Sequence, residues 1–185
     1  MVPTRDDAER LLEQYIDNPA LRNHCRAVAA TMGYVARERG EQPEPWEVIG
    51  LVHDLDWEKY PEQHCRKTEQ ILRGAGWPDD YVRAVISHGW QICTDVEPLS
   101  DLEKTLYAVD ELTGFVTACA LVRPSRSVRD LEVKSVRKKW KNANFAAGVD
   151  REVIERGAAM LDAELNDLIQ TVILAMREVA DEIGL

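Results

Sequence analysis

Imidazole and carboxylate side chains are the groups in this sequence best suited to chemistry, and they are few enough to follow one by one. The chain has four histidines, His24, His53, His64 and His88. His53 stands directly before Asp54, in a stretch (residues 45–54) that reads as a short helix with Pro45 in its first turn, where a missing N–H costs little. Trp46, Ile49 and His53 recur at i, i+3 and i+7, the spacing of one apolar helix face. Adjacent residues on a regular helix diverge by about 100°. His53 and Asp54 can therefore address one point only where the helix ends, and residues 55–61, closing on Pro61, read as that ending. Taken alone, the dipeptide is also read as a helix-terminal aspartate beside an ordinary core histidine.

The other three imidazoles change that balance. His24 lies beside the apolar line Leu21, Cys25, Val28, Met32 and Val35. His64 opens the next helical segment, with Thr68 and Ile71 at i+4 and i+7, and His88 continues the line Tyr81, Val85. Asp110 occupies the line Leu106, Asp110, Thr113 of a long helix, where a lone buried carboxylate is costly without a cation. Four imidazoles and two carboxylates facing one interior suit a metal cluster.

The order His24 … His53-Asp54 … His64 … His88 … Asp110 resembles the HD-domain superfamily of metal-dependent phosphohydrolases, and within it the six-ligand, two-metal branch. The minimal pattern matches His24, His53, Asp54 and Asp110; the two extra histidines match His64 and His88. The resemblance covers roughly residues 18–125 and implies an all-α, HD-type helical core, with additional C-terminal helices over about 127–185 of a single 1–185 domain. It implies two divalent transition-metal ions (Mn, Fe, Ni, Co or Zn), one held by His24, His53, Asp54 and Asp110 and the other by His64 and His88, with Asp54 bridging. It further implies hydrolysis of a nucleotide or other small phosphate ester by a metal-activated hydroxide, with His53 and Asp54 at the catalytic centre. Di-iron oxygenases resembling inositol oxygenase share the same ligand order, and a non-catalytic, metal-stabilised regulatory domain would carry it too.

One position departs from the pattern. Many members carry a lysine three residues after the motif aspartate, and here that residue is Trp57. Phosphate contact then falls to Lys59 or to the basic stretch at residues 123–141, where eight Lys and Arg face two acidic residues, a net of +6. Lys134, Arg137 and Lys138 are the candidates there, although a solvated basic helix reads equally well. Asp56 and Glu58 read as surface carboxylates, or as proton acceptors or groups supporting the site from behind.

Composition bounds the rest. A formal net charge of −10 over 185 residues argues against general nucleic-acid binding, which depends on basic surface. The N-terminal segment has neither the basic nor the apolar region of a signal peptide, and apolar runs stop well short of the ~20 residues of a membrane span. Cys25, Cys65, Cys93 and Cys119 form no CxxC pair, so a disulfide framework or zinc ribbon is not expected, and a cytoplasmic protein is.

These groups need helices to position them. Thr4 with Asp7 caps a first helix to about Ile16, and Asn18-Pro19 starts a second that Gly40 ends. Pro61 starts the His64 helix, which residues 74–76 close, and Pro78 opens the His88 helix, stopped by Gly89. Ser100 with Glu103 caps the long Asp110 helix to about Val122. Ser127 caps a helix to roughly Lys141, and Asp150 caps a helical stretch to Ile183 with an interruption near residues 162–164. No strand-period run is present.

Overall fold

In the computed structural model, which describes residues 2–185, caps written into the sequence set the starts of four helices. The first helix, α1 (Arg5–Tyr15), opens on a capping box in which the Thr4 hydroxyl accepts from the Asp7 N–H and the Asp7 carboxylate accepts from the Thr4 N–H. Asn18 caps α2 (Pro19–Glu38) by accepting from the N–H groups of Ala20 and Leu21, with Pro19 in the first turn. α3 (Pro43–Val52) begins at Pro43 rather than at Pro45, since either proline suits a first turn. After it come α4 (Arg66–Gly74), α5 (Asp79–Ile86) and α6 (Asp101–Leu121). A second capping box, Ser100 with Glu103, opens α6. The chain closes with α7 (Val133–Trp140), α8 (Arg151–Met160), α9 (Leu165–Glu178) and α10 (Ala180–Ile183). The fold is all-α: no strand occurs among the described residues, only an isolated bridge between Trp90 and Thr94.

α6 is the axis of the packing. Leu106, Val109, Leu112, Phe115 and Val116 are fully buried on it, with Thr105 and Ala108 filling the narrower contacts. A helix apolar around most of its circumference must be surrounded, and α2, α5, α7, α8 and α9 all pack against it. α2 and α3 share the most extensive contact. At their crossing Gly50 lies where an added Cβ would sit 2.7 Å from the Ala29 Cα, so the approach requires the absence of a side chain.

Three local expectations are corrected. His64 does not open α4 but sits in the turn before it, and His88 follows α5 in a short 3-10 turn (Ser87–Gly89). The helix expected from Ser127 starts only at Val133. The intervening segment buries Val128 and Leu131, and the Arg177 guanidinium donates to both their carbonyls, which removes acceptors a helix would need. The expected break after α8 lies at residues 161–164, and a second divides α9 from α10 at Val179.

Gly50→Ala is expected to destabilise the protein by about 1–3 kcal/mol, because backbone must move to admit one methyl group. Gly114, on α6 with only Val149 as near as 4.0 Å to an added Cβ, is expected to gain about 0.5–1 kcal/mol on substitution by Ala. Urea unfolding of the two variants checks the pair; equal effects would contradict the close α2–α3 approach.

Candidate metal centre

The helices end where the chemistry begins. α3 stops at Val52, and His53, its C-cap, still has helical dihedrals, while the chain turns away through residues 53–59. This break lets two consecutive side chains face one cavity. α2 brings His24 to it, α6 brings Asp110, and the turns before α4 and after α5 bring His64 and His88. All six of these residues line a single cavity of about 250 Å³ or, in the case of His53, stand directly behind it.

The carboxylates organise the imidazoles. His24 Nε2 is 3.0 Å and His53 Nε2 3.2 Å from Asp110 Oδ1. Asp54 Oδ2 faces the same two rings, 3.5 Å from His53 Nε2 and 3.9 Å from His24 Nε2. The other oxygen, Asp54 Oδ1, lies 3.7 Å from His88 Nε2 and 3.8 Å from His64 Nε2. Asp54 therefore stands between two pairs of imidazoles, one oxygen toward each. Two groups have the spacing to hold a metal ion: His24, His53 and Asp110, and His64, Cys65 and His88.

Hydrogen bonds behind the rings fix which nitrogen faces inward. His53 Nδ1 lies 2.8 Å from the Gly50 carbonyl and His88 Nδ1 2.6 Å from the Val85 carbonyl. A carbonyl can only accept, so both Nδ1 atoms carry hydrogen. His64 Nδ1 is 2.8 Å from Asp56 Oδ1, which likewise accepts. When neutral, these three rings each present an Nε2 lone pair to the cavity, the arrangement in which histidines bind metals. His53 Nε2 is buried without a hydrogen-bond partner, and His64 and His88 Nε2 face each other at 3.2 Å. Lone pairs so placed repel unless a proton or a cation lies between them, and the donor set of imidazole and carboxylate fits a divalent transition metal.

Charge within the site follows from burial and proximity. Burial alone would lower the His53 pKa, but Asp54 and Asp110 outweigh it and hold the imidazole well above its ordinary value. Burial also opposes ionisation of Asp54, yet His53 holds that carboxyl at about 2; Asp110 is likewise kept well below the carboxylate range by His53 and His24. For His64, the hydrogen bond to Asp56 and the charge of Asp54 exceed the cost of burial and raise the pKa. His88 is the exception, lowered to about 4 by burial and by the neighbouring His53 and His64. On the cavity wall Glu111 is pushed up to about 7 by burial and by the adjacent Asp110.

The structure also decides what the sequence left open. Asp56 is fully buried, not a surface carboxylate: one oxygen orients His64 and the other accepts from the Thr68 N–H at the start of α4, 2.8 Å away. Glu58 accepts from the N–H groups of Asp17 and Asn18, just before α2. Cys65 and Cys93 are joined as a disulfide, where no disulfide framework was expected; Cys25 and Cys119 are free and buried. The basic candidates lie elsewhere. Lys59 pairs with Asp17 at 2.9 Å and Lys134 with Glu132 at 2.7 Å, Arg137 and Lys138 ride on α7, and none of the four lines the cavity. Its rim is formed instead by Leu21, Trp57, Ile92 and Gly148, with the Trp57 ring edge-on to His64. Among the described residues, no helix is long and apolar enough to cross a membrane.

No family model matches this chain, and no curated protein or solved structure matches it significantly.

Two outcomes are expected. Since His53 is held protonated at neutral pH, binding a divalent ion must displace that proton, so titration calorimetry at pH 7 in buffers of different ionisation enthalpy should show release of about one proton or more per chain. His88, lowered to about 4, contributes none; metal uptake without proton release would contradict the charge assignment. Asp56→Ala should weaken cation binding at the His64 side about 10–100-fold, because the ring loses the acceptor that orients it. Binding at the His24–His53–Asp110 side should change little.

Proposed function

We propose that the protein is a binuclear, HD-type metal-dependent phosphohydrolase acting on a nucleotide or another small phosphate ester. The observation that carries this reading is the position of Asp54, one oxygen toward His24 and His53 and the other toward His64 and His88. That is the placement a carboxylate bridging two cations requires, and the ligand order along the chain agrees with it. His24, His53, Asp54 and Asp110 would hold one ion; His64, His88 and Asp54 would hold the other.

When bound, a pair of such ions supplies Lewis acidity toward phosphoryl oxygens and lowers the pKa of water. The chain's own residues do the rest. The carbonyls of Gly50 and Val85 and the Asp56 carboxylate fix the ring orientations, so ligation needs no reorganisation of the imidazoles. Trp57, Leu21 and Ile92 give the cavity an apolar wall around the proposed ligands. Glu111, on the cavity wall beside Asp110, is the carboxyl we assign to return a proton to a leaving oxygen. A cavity of about 250 Å³ is small among ligand sites and suits a compact ester. Since no lysine or arginine lines it, recognition of the phosphate rests chiefly on the cations.

The test is hydrolysis of a panel of phosphomonoesters and nucleotides by protein loaded with Mn, Co, Ni, Zn or Fe(II). Expected are release of inorganic phosphate, its loss on chelation and recovery on metal return, and a fall of more than about a hundredfold in Asp54→Ala, which loses both ions. His64→Ala should lose one ion. Fully loaded protein that hydrolyses none of the panel, and instead consumes oxygen with iron, would replace this reading by an oxygenase.

A further inference from the structure

Cys65 occupies two chemical settings at once. Its sulfur is joined to Cys93, and it also lies within 4.8 Å of ligand nitrogens of both His64 and His88. The backbone there is unusual. Cys65 has φ 67° and ψ −48°, close to a γ-turn that side-chain-bearing residues seldom adopt, and this turn directs the sulfur back toward the imidazole pair instead of outward from the start of α4. The partner sulfur comes from a tight loop after His88, in which the Gly89 carbonyl accepts from the N–H groups of Ile92, Cys93 and Thr94. Each cysteine thus belongs to a segment that carries one imidazole. Gly89 lies between them: a Cβ on it would strike both sulfurs. Cys65 is buried while Cys93, next to the exposed Ile92, is part-exposed, which makes Cys93 the more accessible member of the pair.

We propose that the Cys65–Cys93 pair is a redox-gated ligand, which in its reduced form gives the His64–His88 position a thiolate and in its oxidised form withholds it. The inference rests on the reading of His64 and His88 as metal ligands. In the reduced chain the donors at this position are two imidazole nitrogens, Asp54 Oδ1 and the Cys65 sulfur, a four-coordinate set that favours thiophilic ions such as Zn²⁺ or Co²⁺. In the oxidised chain only the two nitrogens and the oxygen remain. The exchange balances as an ordinary thiol–disulfide reaction. A dithiol reductant attacks Cys93 Sγ, the Cys65–Cys93 bond breaks and Cys65 leaves as thiolate. The second reductant thiol then resolves the mixed disulfide, giving a cyclic disulfide and the Cys93 thiol, two electrons in all.

Co²⁺ is a suitable probe, since thiolate ligation gives a near-ultraviolet charge-transfer band that imidazole and carboxylate do not. Full-length protein, oxidised or dithiol-reduced and freed of reductant, is titrated anaerobically with Co²⁺, with thiols counted after denaturation. Expected are two thiols in the oxidised and four in the reduced chain, a charge-transfer band only in the reduced chain, and second-ion affinity at least about tenfold higher there. Cys93→Ser should show the band without reduction, and Cys65→Ser should lack it in either state while still folding. Two Co²⁺ ions bound by reduced wild type and by Cys93→Ser with no such band would overturn the proposal and leave the imidazole ligands standing. A single ion in every form would overturn both the gating and the reading of the His64–His88 position.

Discussion

Four imidazoles within one small cavity can coexist only if negative charge and a cation, or protons, lie among them. Asp54 and Asp110 supply the negative charge. Neither would ionise in so buried a place without the rings around it, and the His53 ring would not hold a proton without the two carboxylates. His88, buried beside His53 and His64, is driven toward its neutral form. The site is thus an electrostatic unit. Removing one member leaves the others as uncompensated charges or facing lone pairs, and a divalent cation satisfies at one stroke what protons satisfy only in part.

The rest of the fold serves that constraint. Consecutive residues His53 and Asp54 can both face the cavity because α3 ends between Val52 and His53. α3 is held against α2, which carries His24, by a crossing too close for a side chain at Gly50. α6 places Asp110 at the centre because it is surrounded by other helices along most of its length. The remaining two imidazoles come from turns, and there the fixing is local: Asp56 holds the His64 ring and the start of α4 together, and the Val85 carbonyl holds His88.

Much of this was legible in the sequence because it depends on short-range rules. Thr4, Asn18, Ser100 and Asp150 each announce a helix start by cap chemistry and each caps one. The apolar spacing around His24, His53 and Asp110 placed them inward. What was not legible depends on contacts distant in sequence or on irregular backbone. Asp56 reads either as a solvated acid or as a group behind the site, and the turn after α3 decides for the second by folding it beneath His64. Cys65 and Cys93 lack any spacing signature, and their meeting follows from a positive φ at one and a tight loop at the other. The segment before α7 has helical periodicity in Val128 and Leu131, but Arg177, far along the chain, takes their carbonyls. The charge run at residues 123–141 pointed to phosphate, and the structure spends part of it on ion pairs with Asp130, Asp181 and Glu132.

The central claim is that Asp54 separates two cation positions. Anomalous diffraction from crystals grown with Mn²⁺ or Zn²⁺, collected on either side of the metal's absorption edge, tests it most directly. The geometry predicts two peaks about 3.5–4 Å apart, one among His24, His53 and Asp110, the other against His64 and His88, with the Asp54 carboxylate between them. A well-ordered cavity with a single peak centred among all four imidazoles, or with none, would contradict it.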